Sequence, residues 1–432
     1  MAGSMGAGGA AEWRANWRII LPATAGIMLC SAHGHALGVM VRPLEQEFGW
    51  QRAEISAGFL IIAAVAVLVS PLVGLAVDRF GARRIGLGGI VFYCIALALL
   101  STAGPDVTSW WLRWGLLALA NMTILPVVWL AVINGYFVKS RGMAMAVCLS
   151  GTGIGAALFP ILTNTLVDSY GWRGAYIGLA AASAAVCFPL VLLLFHPAPE
   201  SDAGSPHGEG HHAHHRGTAR QQMRTLRFAK LAAASIVFAL ASCALTNNFV
   251  PVLLGEGLTP GSAAATAGLV GIGSITGRLL GGYLLDRFDA NKVAGFSVLV
   301  PVIPLLILLG TDNAPLWAGI ACLVMGLSVG TELDANAYLV ARHFGTRNFG
   351  ALFGTINGFL LLGNGIAPIV ANHVYDVTRS YDLVLIALLP LCAVAAVLFF
   401  TLGRYPDLAD DAAPADGFGG LDAEAASGTP AA

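Results

Sequence analysis

A chain of 432 residues with 57% hydrophobic and only 11% charged residues, a mean hydropathy of +0.75 and a formal net charge of −1 is too apolar for a soluble globular domain, in which about a quarter of the residues are charged. It has no basic block of the kind that binding to phosphates needs, so no nucleic-acid partner is expected. The composition suits a protein whose solvent is a lipid bilayer.

Apolar stretches of about 20 residues, each enough to cross a hydrocarbon core of roughly 30 Å as a helix, recur along the whole chain. They predict an all-α membrane protein with spans near 17–41, 52–77, 84–104, 110–137, 142–167, 172–195, 229–254, 262–285, 292–311, 315–341, 347–374 and 380–403. Span one follows charged residues without a small-residue cleavage site and leads directly into further spans, so it is expected to stay as a membrane helix. All seven cysteines fall within spans, where Cys behaves as a small hydrophobe, and no structural disulfide is expected. Of the 23 Lys and Arg, Arg113 and Arg278 lie inside spans. Only Arg42, Arg52, Arg173 and Arg379 fall on one side, and the rest crowd the other. By the positive-inside rule both termini and the central loop are then cytoplasmic.

The order of segments repeats. GLAVDRFGARR (Gly74 to Arg84) ends span two and GYLLDRFDANK (Gly282 to Lys292) ends span eight, and the same offset relates Gly155 to Gly363 and Pro160 to Pro368. The halves therefore read as parallel repeats of six helices. The expected organisation is a cytoplasmic N-terminus (1–16), an N-terminal bundle (17–197), a His-rich linker (198–228), a C-terminal bundle (229–404) and a polar tail (405–432). His207, His211, His212, His214 and His215 in the linker allow metal binding, but a solvated linker explains them equally well.

GLAVDRFGARR resembles the signature that the major facilitator superfamily carries between helices two and three, and the copy at Gly282 resembles its second-half counterpart. The resemblance implies two pseudo-symmetric six-helix bundles about a central cavity. It also implies that Asp78, Arg79, Arg83, Asp286 and Arg287 are gating residues that hold the cytoplasmic side closed, where a helix N-terminus favours the aspartate. GVMVRPLEQEFGWQRAEIS (Gly38 to Ser56), YFVKSRGMAMAV (Tyr136 to Val147) and GWRGAY (Gly171 to Tyr176) are similar to the branch of monocarboxylate transporters and oxalate:formate antiporters. Gly49-Trp50 and Gly171-Trp172 also serve simply as turns and interfacial anchors.

An ionisable side chain inside a membrane costs roughly 2.5–3.5 kcal/mol on insertion scales, so each one asks for a role. Here they are His33, His35, Arg113, Arg278, Glu332 and Asp334. Glu54 is set aside because it opens span two, where a carboxylate favours the helix dipole. Arg113, about one turn inside span four, is placed to snorkel to the surface. Arg278 lies eight residues before Asp286, roughly 12 Å deep by helix rise. It resembles the helix-eight arginine that binds substrate carboxylate in both relatives, and a guanidinium suits bidentate contact with a carboxylate. The acid that monocarboxylate transporters carry one turn earlier is Ser274 here. Glu332 and Asp334 lie about 15–18 Å deep from the inner side on different helix faces. One is expected to line the cavity and the other to pair between helices with Asn336, Tyr338 or Arg278 itself.

The resemblance places His35 where the relatives have a helix-one lysine, and a histidine can exchange protons near neutral pH. His33, two residues away, cannot share its face fully. The helix-eleven lysine of oxalate:formate antiporters has no counterpart between Arg347 and Arg379, where Asn357 and Asn364 stand instead. That favours a monoanion. Asn247, Asn357 and aromatic residues such as Phe238, Phe249 and Phe353 leave room for a larger acid, although aromatic stripes are more often packing.

The expected function is alternating-access transport of a small organic monocarboxylate with a proton, by a monomer in the inner membrane. Arg278, His35, Asn247 and Asn357 would bind substrate, while Glu332, Asp334 and His35 would couple the proton. No cofactor or metal is expected, and the absence of a GxxxxGKS/T loop argues against an ATP-driven pump. The alternatives are an exchange or efflux transporter for amphipathic molecules, a transport-derived sensor, or a membrane enzyme, for which no nucleophile with its base is evident.

Overall fold

The computed structural model describes residues 7–137, 140–196, 219–310, 315–344, 349–403 and 405. Among them, eleven helices are long and apolar enough to cross a membrane. One of these, Gly142–Leu194, contains 53 residues and would run about 80 Å if straight, far beyond a bilayer. It breaks at Gly171, whose backbone (φ 69°, ψ 174°) is open to a residue without a Cβ. Its two arms are spans five and six, so the described residues supply twelve spans.

Span one is Ala10–Phe48, span two Arg52–Phe80, span three Ala82–Thr102 and span four Val107–Ile133. Span seven is Leu226–Thr246, continued by Phe249–Gly255, and span eight is Pro260–Arg287. Spans nine to twelve are Ala290–Gly310, Pro315–Phe344, Phe349–Thr378 and Asp382–Phe400. The first helix already begins at Ala7, ahead of its apolar stretch. The linker histidines, from His207 to His215, lie outside the described residues.

Helix ends follow local chemistry. Gln51 and Glu54 form a reciprocal capping box at the start of span two, and Asp106, Thr225, Thr259 and Asp289 cap other helices through their side chains. Each satisfies backbone N–H groups that a helix leaves without intrahelical partners. Several spans are interrupted midway, span one at Ser31, span four between Met122 and Pro126, and span seven at Asn247 and Asn248. Hydropathy runs unbroken through these sites and does not reveal them.

The internal repeat is visible in packing. A Cβ on Gly155 of span five would meet Ser31 Oγ and lie 3.2 Å from the Met28 carbonyl, and one on Gly363 of span eleven would lie 3.0 Å from Ala239 Cβ and 3.5 Å from the Ile236 carbonyl. Both partners shift by the offset that relates the two glycines. Each half repeats one helix contact, as expected of duplicated bundles.

The apolar cores of the halves differ. The N-terminal half has one continuous core around Trp110, Trp114 and Trp129. The C-terminal half has two, one around Leu245, Leu253 and Met325 and one around Phe238, Leu339 and Ile356. Between them in sequence lie Ser274, Arg278, Ser328, Thr331, Glu332, Asp334 and Asn364, a polar layer across spans eight, ten and eleven. The halves meet where span two packs on span eleven and span five on span eight.

Candidate functional site

The polar layer is rigid because spans eight and ten touch backbone to backbone. Gly277 abuts the Leu327 carbonyl, and a Cβ on Gly330 would meet the Ser274 carbonyl and lie 2.8 Å from the Arg278 nitrogen. Small residues allow this approach between membrane helices. Thr331 Oγ1 donates across to the Gly277 carbonyl at 3.0 Å, and Ser328 Oγ donates to the Ser297 carbonyl at 2.6 Å, joining span nine.

On this frame Arg278 Nη1 stands 3.7 Å from Asp334 Oδ1, with side chains 8% and 31% exposed. That separation makes an ion pair but not a hydrogen bond. Nη1 is buried without a hydrogen-bond partner among the described residues, and so is Glu332 Oε1. Buried polar atoms are normally satisfied, so each of these two asks for an explanation. Arg278 is therefore the partner of Asp334. Asn336 does not take that role: its Oδ1 accepts from Ser235 Oγ at 2.9 Å, and Tyr338 lies against Arg342. Glu332 faces the other way, near Cys243 of span seven, whose thiol donates to Asn364 Oδ1 of span eleven at 2.8 Å.

In span one the two histidines separate. His33 Nδ1 lies 3.1 Å from the Tyr93 hydroxyl and its ring packs edge-on to Trp114, which makes it a packing residue of the N-terminal half. His35 instead lines a cavity of about 20 Å³ between the halves, with Gly34 and Gly38 on one side and Thr246 and Asn247 on the other. That volume holds about one water, so the site is nearly closed at this level.

Asn357 is half-buried on span eleven. Phe238 and Phe249 are buried in the C-terminal cores, although Phe249 also borders the cavity. Arg113 donates to Thr102 Oγ1 at 3.0 Å, to the Thr102 carbonyl at 2.9 Å and to the Ser109 carbonyl at 2.6 Å; it ties the start of span four to the end of span three.

The side chains of Asp78 and Asp286 lie outside the described residues. Arg79 and Arg287 are exposed at the ends of spans two and eight, over the rings of Phe80 and Tyr283. Arg83 Nη2 donates to the Leu192 carbonyl at 2.7 Å, a contact within its own half.

A family model described as Major Facilitator Superfamily matches residues 23–368 and 233–423. The chain belongs to the major facilitator superfamily. Among its relatives in this superfamily is an uncharacterized MFS-type transporter, YcxA, of Bacillus subtilis, 25% identical over 82% of this chain and 87% of that protein. Monocarboxylate transporter 11 of Mus musculus is 26% identical over 71% of this chain and 64% of its own length. A solved bacterial homolog of the human lysosomal transporter Spinster, inward-facing and unoccupied, shares the fold with a TM-score of 0.69 at 16% identity, over 89% of this chain and 96% of that one. This major facilitator chain is thus a multi-pass membrane transporter. Its spans eight and ten are joined by the Arg278–Asp334 ion pair.

Proposed function

We propose that the protein moves a small organic monocarboxylate together with a proton by alternating access between its two halves. The observation that carries this reading is Arg278, buried beside Asp334 at 3.7 Å with Nη1 lacking a hydrogen-bond partner. Without substrate, Asp334 neutralises the guanidinium. A proton arriving on Asp334 releases Arg278, whose planar fork then takes the substrate carboxylate. The site stays close to neutral throughout, which keeps the cost of crossing low. Loss of both the proton and the substrate restores the ion pair.

Glu332 is a second proton carrier on the opposite face of span ten, and His35 exchanges protons at the junction of the halves. Asn247 and Asn357 contribute amide contacts to the substrate. Support also comes from the relatives named as monocarboxylate transporters and from the lack of a second cation between Arg347 and Arg379. Asp78, Arg79, Arg83, Asp286 and Arg287 gate the face that carries the basic loops. That face is cytoplasmic, and the protein is a monomer of the inner membrane with both termini inside. The two bundles, 17–197 and 229–404, move as units.

The test is uptake into proteoliposomes with and without an inward-directed proton gradient, using labelled monocarboxylates. Accumulation that needs the gradient supports the reading. Competition by lipophilic cations instead of carboxylates would favour efflux of amphipathic molecules, with Glu332 as the cation's partner.

A further inference from the structure

The segment Gly38 to Ser56 is prominent in the sequence, yet the polar layer uses none of it. In the structure it reaches across to the other half. The backbone N–H groups of Arg52 and Ala53 donate to Asp376 Oδ1 and Oδ2 of span eleven, at 3.1 and 3.0 Å. Span two already satisfies its neighbouring N–H groups internally, because Gln51 N donates to Glu54 Oε2 at 2.9 Å and the Gln51 side chain accepts from the backbone of Glu54. The two remaining donors of that helix start are capped by the opposite half, where the helix dipole also favours a carboxylate.

The Arg52 side chain continues the junction. Its Nε donates to Glu45 Oε1 at 2.9 Å, its Nη1 donates to the Tyr381 hydroxyl at 3.2 Å, and its guanidinium lies 3.6 Å from the centre of the Tyr375 ring. Tyr381 donates to Asn372 Oδ1 at 2.6 Å, and Asn372 Nδ2 donates to Ser56 Oγ at 2.6 Å. Burial pushes the Tyr381 hydroxyl well above the usual tyrosine value, so it remains a donor. Arg379, with φ 60°, turns the chain at the end of span eleven and returns Tyr381 to this cluster. All of these groups sit at the face opposite the DRF turns.

We infer that Arg52 and Asp376, with Glu45, Asn372, Tyr375 and Tyr381, form a latch that closes this face between the two halves and must open once in every transport cycle. The contacts are numerous but mostly polar and near the membrane surface, so water can replace them when the halves part. A latch of this kind sets the balance between the two access states. The inference does not depend on which substrate is carried.

The experiment measures the distance between spin labels at Tyr170 and Leu383, one on each half at this face and both exposed, in the full-length protein in liposomes without substrate. The unmodified protein should give mainly a short distance. Asp376→Ala and Arg52→Ala should each raise a longer-distance population about tenfold, while Arg173→Ala, which removes a pair with Glu47 inside the N-terminal half, should leave the distribution unchanged. If Asp376→Ala does not accumulate, Asp376→Asn, which keeps one acceptor, should give a smaller shift in the same direction. Unchanged distributions in the Arg52 and Asp376 variants, or equal widening by Arg173→Ala, would overturn the latch.

Discussion

The guanidinium of Arg278 faces the carboxylate of Asp334 at 3.7 Å, and neither residue can move far, because Gly330 lies against the Ser274 carbonyl and the Arg278 nitrogen. Spans eight and ten therefore act as one body at this level.

Replacing Arg278 by Lys keeps the charge but loses the planar fork. Uptake of a monocarboxylate should fall at least tenfold, equivalent to ~1.4 kcal/mol, with little change in thermal unfolding. Near-normal uptake by Arg278→Ala would remove this residue from the binding site.

The acids should divide coupling from exchange. Asp334→Asn or Glu332→Gln should abolish accumulation driven by a pH gradient while leaving substrate exchange at equal pH, since exchange need not release the proton. His35→Gln should alter the pH dependence of uptake, because it removes an imidazole that lines the cavity between the halves. Retention of gradient-driven accumulation with an unaltered pH profile in all three variants would return these residues to structural roles.

The close crossing of spans eight and ten should be sensitive to one methyl group. Gly330→Ala should lower stability by ~1–3 kcal/mol through overpacking and reduce uptake as Arg278 is displaced. Gly88→Ala, where a Cβ meets nothing within 4 Å, should change neither thermal unfolding nor uptake.

Arg113 is intramembrane by sequence, yet its three hydrogen bonds go to Thr102 and Ser109. Arg113→Ala should keep uptake within about twofold of the unmodified protein while modestly lowering its thermal stability, since an exposed hydrogen bond contributes only about 1 kcal/mol. A transport defect as large as that of Arg278→Ala would contradict this assignment.

The sequence by itself determined the membrane class, the positions of the twelve spans and the duplicated halves. These are local properties: an apolar run of sufficient length must become a helix in lipid, since every backbone polar group has to be satisfied within it. It also singled out Arg278, Glu332 and Asp334, because a charge in hydrocarbon is costly wherever it sits. Which residues those charges meet depends on how helices rotate about one another, and that rotation is fixed by packing between segments far apart in the chain. Only the tertiary structure decided that Asp334 takes Arg278 and Glu332 faces Cys243. It likewise placed His35 at the junction, His33 against Tyr93, and Asp376 on the start of span two. The interruptions at Ser31 and Asn247 belong to the same class, since an apolar run records that a helix crosses the membrane but not where neighbouring helices bend it.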